Sequence, residues 1–322
     1  QTWKRKWVRL KMEEDILVIG SMNMDLVVEA ERYPEAGETI LGNNFEQTAG
    51  GKGANQAASI GKLNGNVSFI GACGKDYFGD ELLTRMKKDG VEVEKVFRVE
   101  ESTGIANITV EKQGVNRIVV VQGANKCLTP DLIDEFKEEI KAAKIILTQL
   151  EIPINTVLHV IELAQEGGAE VILDPAPAQN LPPKIYSKID YLLPNEGELD
   201  QLLADYNLET EAEKVNQLLD WGVGTVLLTK GKAGISLYEG KEKENYEAIE
   251  LEVVDTTGAG DAFAGAFAFG LKNDYSLEKA VKFANAVAGF STTKLGAQRS
   301  FPEVTELEEF CVQHNLNAEN YF

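Results

Sequence analysis

Ile145-Ile146-Leu147-Thr148-Gln149, the run Thr156–Gln165, and Val171-Ile172-Leu173-Asp174 follow one another along residues 145–174. The two outer runs are short, apolar and without alternation, as expected of strands buried on both faces. The run between them repeats its apolar residues at helical spacing. Strand, helix and strand in that order predict a right-handed crossover between parallel neighbours. The pattern continues outward in both directions. Ile16–Gly20, Val67–Gly71, Tyr191–Pro194 and Thr225–Thr229 read as further buried strands, and Asp131–Ala143, Glu213–Trp221 and Leu277–Thr292 as helices. The expected fold class is α/β, built on a mostly parallel sheet.

Two segments break this rhythm. Asp25–Tyr33 alternates by twos before Pro34, and Ile105–Val121 reads as a hairpin around Lys112-Gln113-Gly114-Val115-Asn116. Strands without crossover helices predict a second, small β-sheet, either a lid over a cleft or an extension of the main sheet.

Composition narrows the function. The chain has 322 residues, 43% of them hydrophobic, enough for one large core. A formal charge of −20 argues against nucleic acid or an anionic membrane as partner. No apolar run approaches the roughly 18 residues of a membrane span. Cys73, Cys127 and Cys311 are widely spaced and odd in number, which suits free thiols in a reducing cytoplasm rather than a disulfide framework or zinc site. His159 and His314 are the only histidines, so a His-rich metal site is not expected. Residues 1–11 are basic against an acidic body, and Ala318-Glu319-Asn320-Tyr321-Phe322 looks like a remnant. Residues 1–14 and 316–322 are therefore expected to be extensions, leaving 15–315 as a single domain.

Asp255-Thr256-Thr257-Gly258-Ala259-Gly260-Asp261 lies between a strand expected over Ile249–Val254 and a small-residue helix expected over Asp261–Leu271. Glycines here let backbone approach a ligand, and the open N–H groups of a first helical turn, with the helix dipole, suit an anion. Asp261 at that mouth could accept the proton of an attacking hydroxyl. Alone, the arrangement better suits a helix cap over a tight turn. Phe263 occupies the place of a third glycine, so the dinucleotide fingerprint fails, and no Walker A sequence occurs.

Near the start stand Gly20-Ser21-Met22-Asn23-Met24-Asp25 and Ala49-Gly50-Gly51-Lys52-Gly53-Ala54-Asn55-Gln56-Ala57-Ala58. Asn23, Asp25 and Asn55 suit the vicinal hydroxyls of a sugar, although each could also cap a helix or a turn. These motifs, followed by Pro194-Asn195-x-x-Glu198 and the Asp-Thr-Thr-Gly-Ala-Gly-Asp run, resemble in order and spacing the ribokinase family of carbohydrate kinases, from about residue 15 to 312.

The resemblance implies a three-layer αβα fold with a β lid at about residues 22–48 and 100–124, and transfer of phosphate from ATP to the 5-hydroxyl of D-ribose. Another sugar, a deoxysugar or a nucleoside is the alternative acceptor within the family. A non-catalytic sugar-binding protein is the rival outside it. Asp261 matches the base, with Gly258, Ala259 and Gly260 as anion hole. Asn23, Asp25, Gly51, Lys52, Asn55, Glu151 and Asp261 match sugar-holding positions. Asn195, Thr229, Lys230, Gly231, Lys232, Ala233, Gly234, Gly260 and Asn285 match nucleotide contacts, and Asn195 with Glu198 matches the motif that organises Mg²⁺, partly through water. Asp255, Thr257, Ser291, Lys294, Gly296 and Ser300 match an oxygen-rich K⁺ site. Arg299 departs from the proline common there. The resemblance further implies a cytoplasmic homodimer paired through the lid. Ile105, Asn107 and Ile118 in the lid segments, none of them aromatic, favour a small pentose over a nucleoside.

Overall fold

The computed structural model describes residues 16–314 and 316. Its strands are β1 (Ile16–Ile19), β2 (Asn23–Ala30), β3 (Gly42–Gly50), β4 (Val67–Gly74), β5 (Val96–Val99), β6 (Gly104–Glu111), β7 (Asn116–Val121), β8 (Ile145–Gln149), β9 (Glu170–Asp174), β10 (Tyr191–Leu192), β11 (Thr225–Thr229), β12 (Ile235–Glu239) and β13 (Glu242–Tyr246). Nine form the main sheet in the order β13-β12-β11-β10-β9-β8-β1-β4-β5. From β11 across to β5 every pairing is parallel, and β12 and β13 add an antiparallel edge.

Alternation along each strand divides the core into two layers. Ile16 and Val18 of β1 join one apolar cluster with the helices Lys52–Lys62, Ala259–Lys272 and Leu277–Ser291. Leu17 and Ile19 face the other cluster, with the helices Ile154–Gly167 and Glu211–Asp220. Helices therefore cover both faces of the sheet, as expected of a parallel sheet buried on both sides.

The strand order reverses between β1 and β8. From β1 the chain moves to β4 and β5, whereas from β8 it moves through β9 and β10 to β11. The carboxyl ends of β1 and β8 thus diverge and leave a crevice between them.

The second sheet is β3-β2-β6-β7, with β2 parallel to β6 and the outer pairs antiparallel. It confirms the hairpin and stands apart from the main sheet. Asp25 and Val27 share one face with Thr48 and Glu46 of β3, Ala106 and Ile108 of β6, and Val120 and Ile118 of β7. Ile105 and Asn107 lie on the other face, so Ile118 alone of the three lid residues singled out in the sequence shares the face of Asp25.

Other expectations needed correction. Ile249–Val254 is not a strand. It lies along the helix Leu277–Ser291 with Ile249 and Leu251 turned inward, and only its end is pinned, by Val254 N–H donating to the Thr292 carbonyl at 2.8 Å. Its alternation reflects packing against a helix. Asp131–Ala143 is broken into Pro130–Ile133, a 3₁₀ turn Asp134–Phe136 and Lys137–Ala142. Phe136 in the turn packs against Phe97, with ring centres 5.4 Å apart. Tyr191–Pro194 contributes only two strand residues. Leu316, placed in the tail, packs on the first apolar cluster. The extensions at 1–14 and 317–322 lie outside the described residues.

Candidate active site

The crevice is lined by residues that the strand ends deliver. Ser21, Asn23 and Asp25 follow β1, Glu151 follows β8, and Asp174 ends β9. Two helices start there. Lys52–Lys62 brings Lys52, Asn55 and Gln56, and Ala259–Lys272 brings Asp261 in its first turn. The second helix is rich in small residues because it crosses the first closely. A Cβ on Gly265 would stand 2.6 Å from the Gln56 carbonyl oxygen, and Ser59 Oγ donates to the Ala262 carbonyl at 3.1 Å. That approach sets Asn55 and Gln56 against Asp261, whose exposure is only 5%.

Asp261 accepts from Asn55 Nδ2 at 2.8 Å and from Gln56 Nε2 at 3.2 Å, and Lys52 Nζ lies 3.7 Å from it. A carboxylate can only accept, so it dictates which way the amides turn. Asn55 points its nitrogen at Asp261 and its oxygen at Gln298, whose Nε2 donates at 3.0 Å. Gln56 does likewise, donating also to Asp174 at 2.8 Å and accepting from Gln149 Nε2 at 2.5 Å. Each relay ends on a buried oxygen, Oε1 of Gln298 and of Gln149, with no hydrogen-bond partner among the described residues.

Lys52 is the cation of this cluster. Its ammonium is 3.1 Å from Asp174, and although burial opposes its charge, the carboxylates of Asp174, Asp261, Glu151 and Glu198 push its pKa up. Asp174 is driven upward by burial, against the pull of Lys52. Asp25 has no such partner among the described residues. Burial first, then the charges of Glu151 and Asp261, push its pKa up to about 7. Glu151 accepts from Ser21 Oγ at 2.5 Å and from the Lys52 backbone N–H at 3.1 Å, so it anchors the start of the helix. Asn23 accepts from Asn125 Nδ2 at 2.8 Å.

At the start of the helix Ala259–Lys272, Gly258 is the N-cap with φ 78°, a left-handed conformation that favours glycine, and no side chain caps the turn. Of the three residues expected to form an anion hole, Ala259 uses its N–H on the Thr256 carbonyl at 3.2 Å. Beside them, Asp255 Oδ1 accepts from Thr257 N–H at 2.9 Å and Oγ1 at 2.7 Å, and its Oδ2 from Gly296 N–H at 2.8 Å. Against its burial, those donors hold its carboxyl below the ordinary range. The structure thus gathers Asp255, Thr257 and Gly296. The side chains of Ser291, Lys294 and Ser300 turn elsewhere, to Ala288, Glu306 and Ala297, leaving backbone carbonyls as their possible contribution.

Asn195 and Glu198 form a capping box at the helix Glu196–Leu202, in which Glu198 Oε2 accepts from Asn195 N–H at 2.8 Å. Thr229 stands beside Asn195, its N–H donating to the Pro194 carbonyl at 2.9 Å. Gly231–Ala233 is a 3₁₀ turn. Lys230 reaches back to Glu211 at 2.7 Å rather than into the crevice. Lys232 and Gly234 complete the turn, with Gly234 at φ 83°. Asn285 lines a cavity of about 500 Å³ with Tyr246, Lys282 and His314.

Sequence reasoning missed Asp174, Gln56, Gln149, Asn125 and Gln298. Asp174 had a usable signal, because it ends a parallel strand on the same edge as the other acids. Gln56 sits next to Asn55, but a helix position alone did not show that it faces the second helix. Gln149, Asn125 and Gln298 carried no local signal.

A family model described as pfkB family carbohydrate kinase matches residues 13–304. The chain is 38% identical over 303 residues to a ribokinase of Lactococcus lactis, covering 94% of this chain and 98% of the relative. It is 36% identical over 301 residues to a deoxyribokinase of Salmonella typhi, covering 92% and 98%. Its fold matches that of an Arabidopsis thaliana ribokinase solved with ribose and ATP, with TM-score 0.86, 35% identity and coverage of 93% and 99%.

Proposed function

Because this chain belongs to the pfkB family of carbohydrate kinases and is an ATP-dependent sugar kinase, we propose that its acceptor is D-ribose, phosphorylated at the 5-hydroxyl. The observation that carries this reading is the placement of Asp261. One carboxylate is held by Asn55 and Gln56 from the sugar-side helix while standing in the uncapped first turn of its own helix. Asn23, Asp25, Lys52, Asn55 and Glu151, with the backbone at Gly51, hold the sugar hydroxyls. Asp261 accepts the proton of the 5-hydroxyl, that oxygen forms the new bond to the γ-phosphorus, and the bond to the β-phosphate oxygen breaks to release ADP. The N–H groups of Gly258 and Gly260 face the charge that builds on the transferring group, while that of Ala259 holds the turn through the Thr256 carbonyl.

The nucleotide lies along Asn195, the turn from Thr229 through Lys230, Gly231, Lys232 and Ala233 to Gly234, and the cavity beside Asn285. Mg²⁺ suits Glu198, since one of its carboxylate oxygens serves the capping box and the other is left for a hydrated ion carried by the phosphates. Such an ion neutralises phosphate charge. K⁺ suits the loop at Asp255, where an ionised carboxylate and Thr257 are joined by the carbonyls of Ser291, Lys294, Gly296 and Ser300.

The small sheet acts as a lid, and closing it excludes water as a competing acceptor. The sheet face that carries Asp25 presents Ile108, Ile118 and Val120 and no aromatic side chain, which favours a small pentose over a nucleoside. Its edge strand β7 leaves Ile118, Val119, Val120 and Val121 about half exposed, a surface suited to pairing with a second copy. Free thiols at Cys73, Cys127 and Cys311 accord with a cytoplasmic setting. ADP release over a panel of pentoses, deoxypentoses, hexoses and nucleosides tests the reading. Ribose should give the highest kcat/KM, and a higher value for deoxyribose or a nucleoside would replace it.

A further inference from the structure

The 3₁₀ turn Gln298–Ser300 touches both the small sheet and Asn55, the side chain that donates to Asp261. Its first residue points inward. Gln298 is 6% exposed and donates to Asn55 Oδ1, while Asn55 donates to Asp261. Its second residue points outward. Arg299 Nη1 donates to Glu46 Oε2 at 2.8 Å and its Nε to the Leu295 carbonyl at 2.8 Å. Glu46 is on β3, on the same sheet face as Asp25, so this ion pair spans from the small sheet to the body of the protein.

The turn is also fastened to the helix that carries Lys52, Asn55 and Gln56. Lys62 Nζ at the end of that helix donates to the Gln298 carbonyl at 2.7 Å and to the Phe301 carbonyl at 3.2 Å. Gln298 and Arg299 are adjacent in this turn, so any shift of the turn with the small sheet carries Gln298 along, against the hold of Lys62. Displacing Gln298 removes the only donor fixing Asn55 Oδ1 among the described residues, and with it the orientation of the amide on Asp261.

We propose that Gln298 and Arg299 are positioning residues that couple the place of the small sheet to the orientation of Asn55 and Asp261. The inference rests on the sugar-kinase reading. An exposed ion pair is individually weak, so the signature is coupling rather than a large single effect.

The test is a double-mutant cycle on sugar kinetics. Glu46→Gln should raise the sugar KM roughly two- to fivefold, the size of an exposed ion pair, with kcat unchanged. Gln298→Ala should lower kcat/KM roughly 10- to 100-fold, as expected when a buried amide loses its partner. Adding Glu46→Gln to Gln298→Ala should then change nothing further. The charge swap Glu46→Arg with Arg299→Glu, confined to exposed positions, should restore the wild-type KM. Additive effects in the cycle, or failure of the swap to restore KM, would overturn the coupling while leaving the kinase reading intact. A wild-type protein that phosphorylates no sugar would overturn that reading and the coupling together.

Discussion

Lys52 lies among Asp174, Asp261, Glu151 and Glu198, so one ammonium faces four carboxyl groups, while the buried Asp25 feels the charges of Glu151 and Asp261. Among the described residues Asp25 has no hydrogen-bonding donor, and its pKa, raised to about 7, gives a measurable consequence. To bind two sugar hydroxyls as an acceptor it must be ionised. The proton leaves as pH rises through 7, so the sugar KM should fall roughly tenfold between pH 6 and pH 8, the span of one such titration. A flat profile would show that Asp25 does not titrate there. The sign for stability is opposite to that of an ion-paired acid. Between about pH 4 and pH 7 the unfolded chain releases this proton while the folded chain keeps it, so Asp25 costs stability increasingly over that window. Asp25→Asn should therefore melt no lower than wild type at pH 8 in calorimetry while losing sugar affinity. A lower melting temperature would mean that the carboxylate is better accommodated than its burial implies.

At the scale of elements, the proposed reaction places its chemistry at the start of the helix Ala259–Lys272. Gly258 is in the left-handed region, and a Cβ there would stand 2.8 Å from Ala297 Cβ. Gly258→Ala should cost about 1–2 kcal/mol of stability in urea titration and lower kcat more than the sugar KM. An unchanged kcat would remove that turn from the anion site. Replacing K⁺ by Na⁺ should depress turnover through the neighbouring Asp255 loop, and equal rates in the two salts would remove the cation from the account. These elements were readable from sequence because glycine spacing and the small-residue run are local properties. The break of Asp131–Ala143 was not, since it depends on Phe136 meeting Phe97 from a distant strand. Ile249–Val254 misled because alternation reports a half-buried extended segment, whether it lies on a sheet or along a helix. Asn125 and Gln298 were invisible for the same reason, their partners Asn23 and Asn55 being distant in sequence.

At the scale of the molecule, the reversal of strand order between β1 and β8 places the crevice, and the small sheet begins beside it with Asn23 and Asp25 of β2. The exposed Ile118–Val121 edge predicts a dimer in sedimentation, and Val119→Lys should convert it to a monomer with an unaltered circular dichroism spectrum. A wild-type monomer at all concentrations would assign that edge no partner copy. The central claim is that Asp261 takes the proton of the ribose 5-hydroxyl as phosphate is transferred from ATP. It is tested most directly by measuring formation of ribose 5-phosphate by wild type and by Asp261→Asn under saturating ribose and ATP. The wild type should form it, and the variant should be slower by roughly 10²–10⁴, the loss typical of a removed general base, with a sugar KM close to wild type. Turnover by Asp261→Asn near the wild-type rate would contradict that claim and reduce Asp261 to a structural residue of its helix.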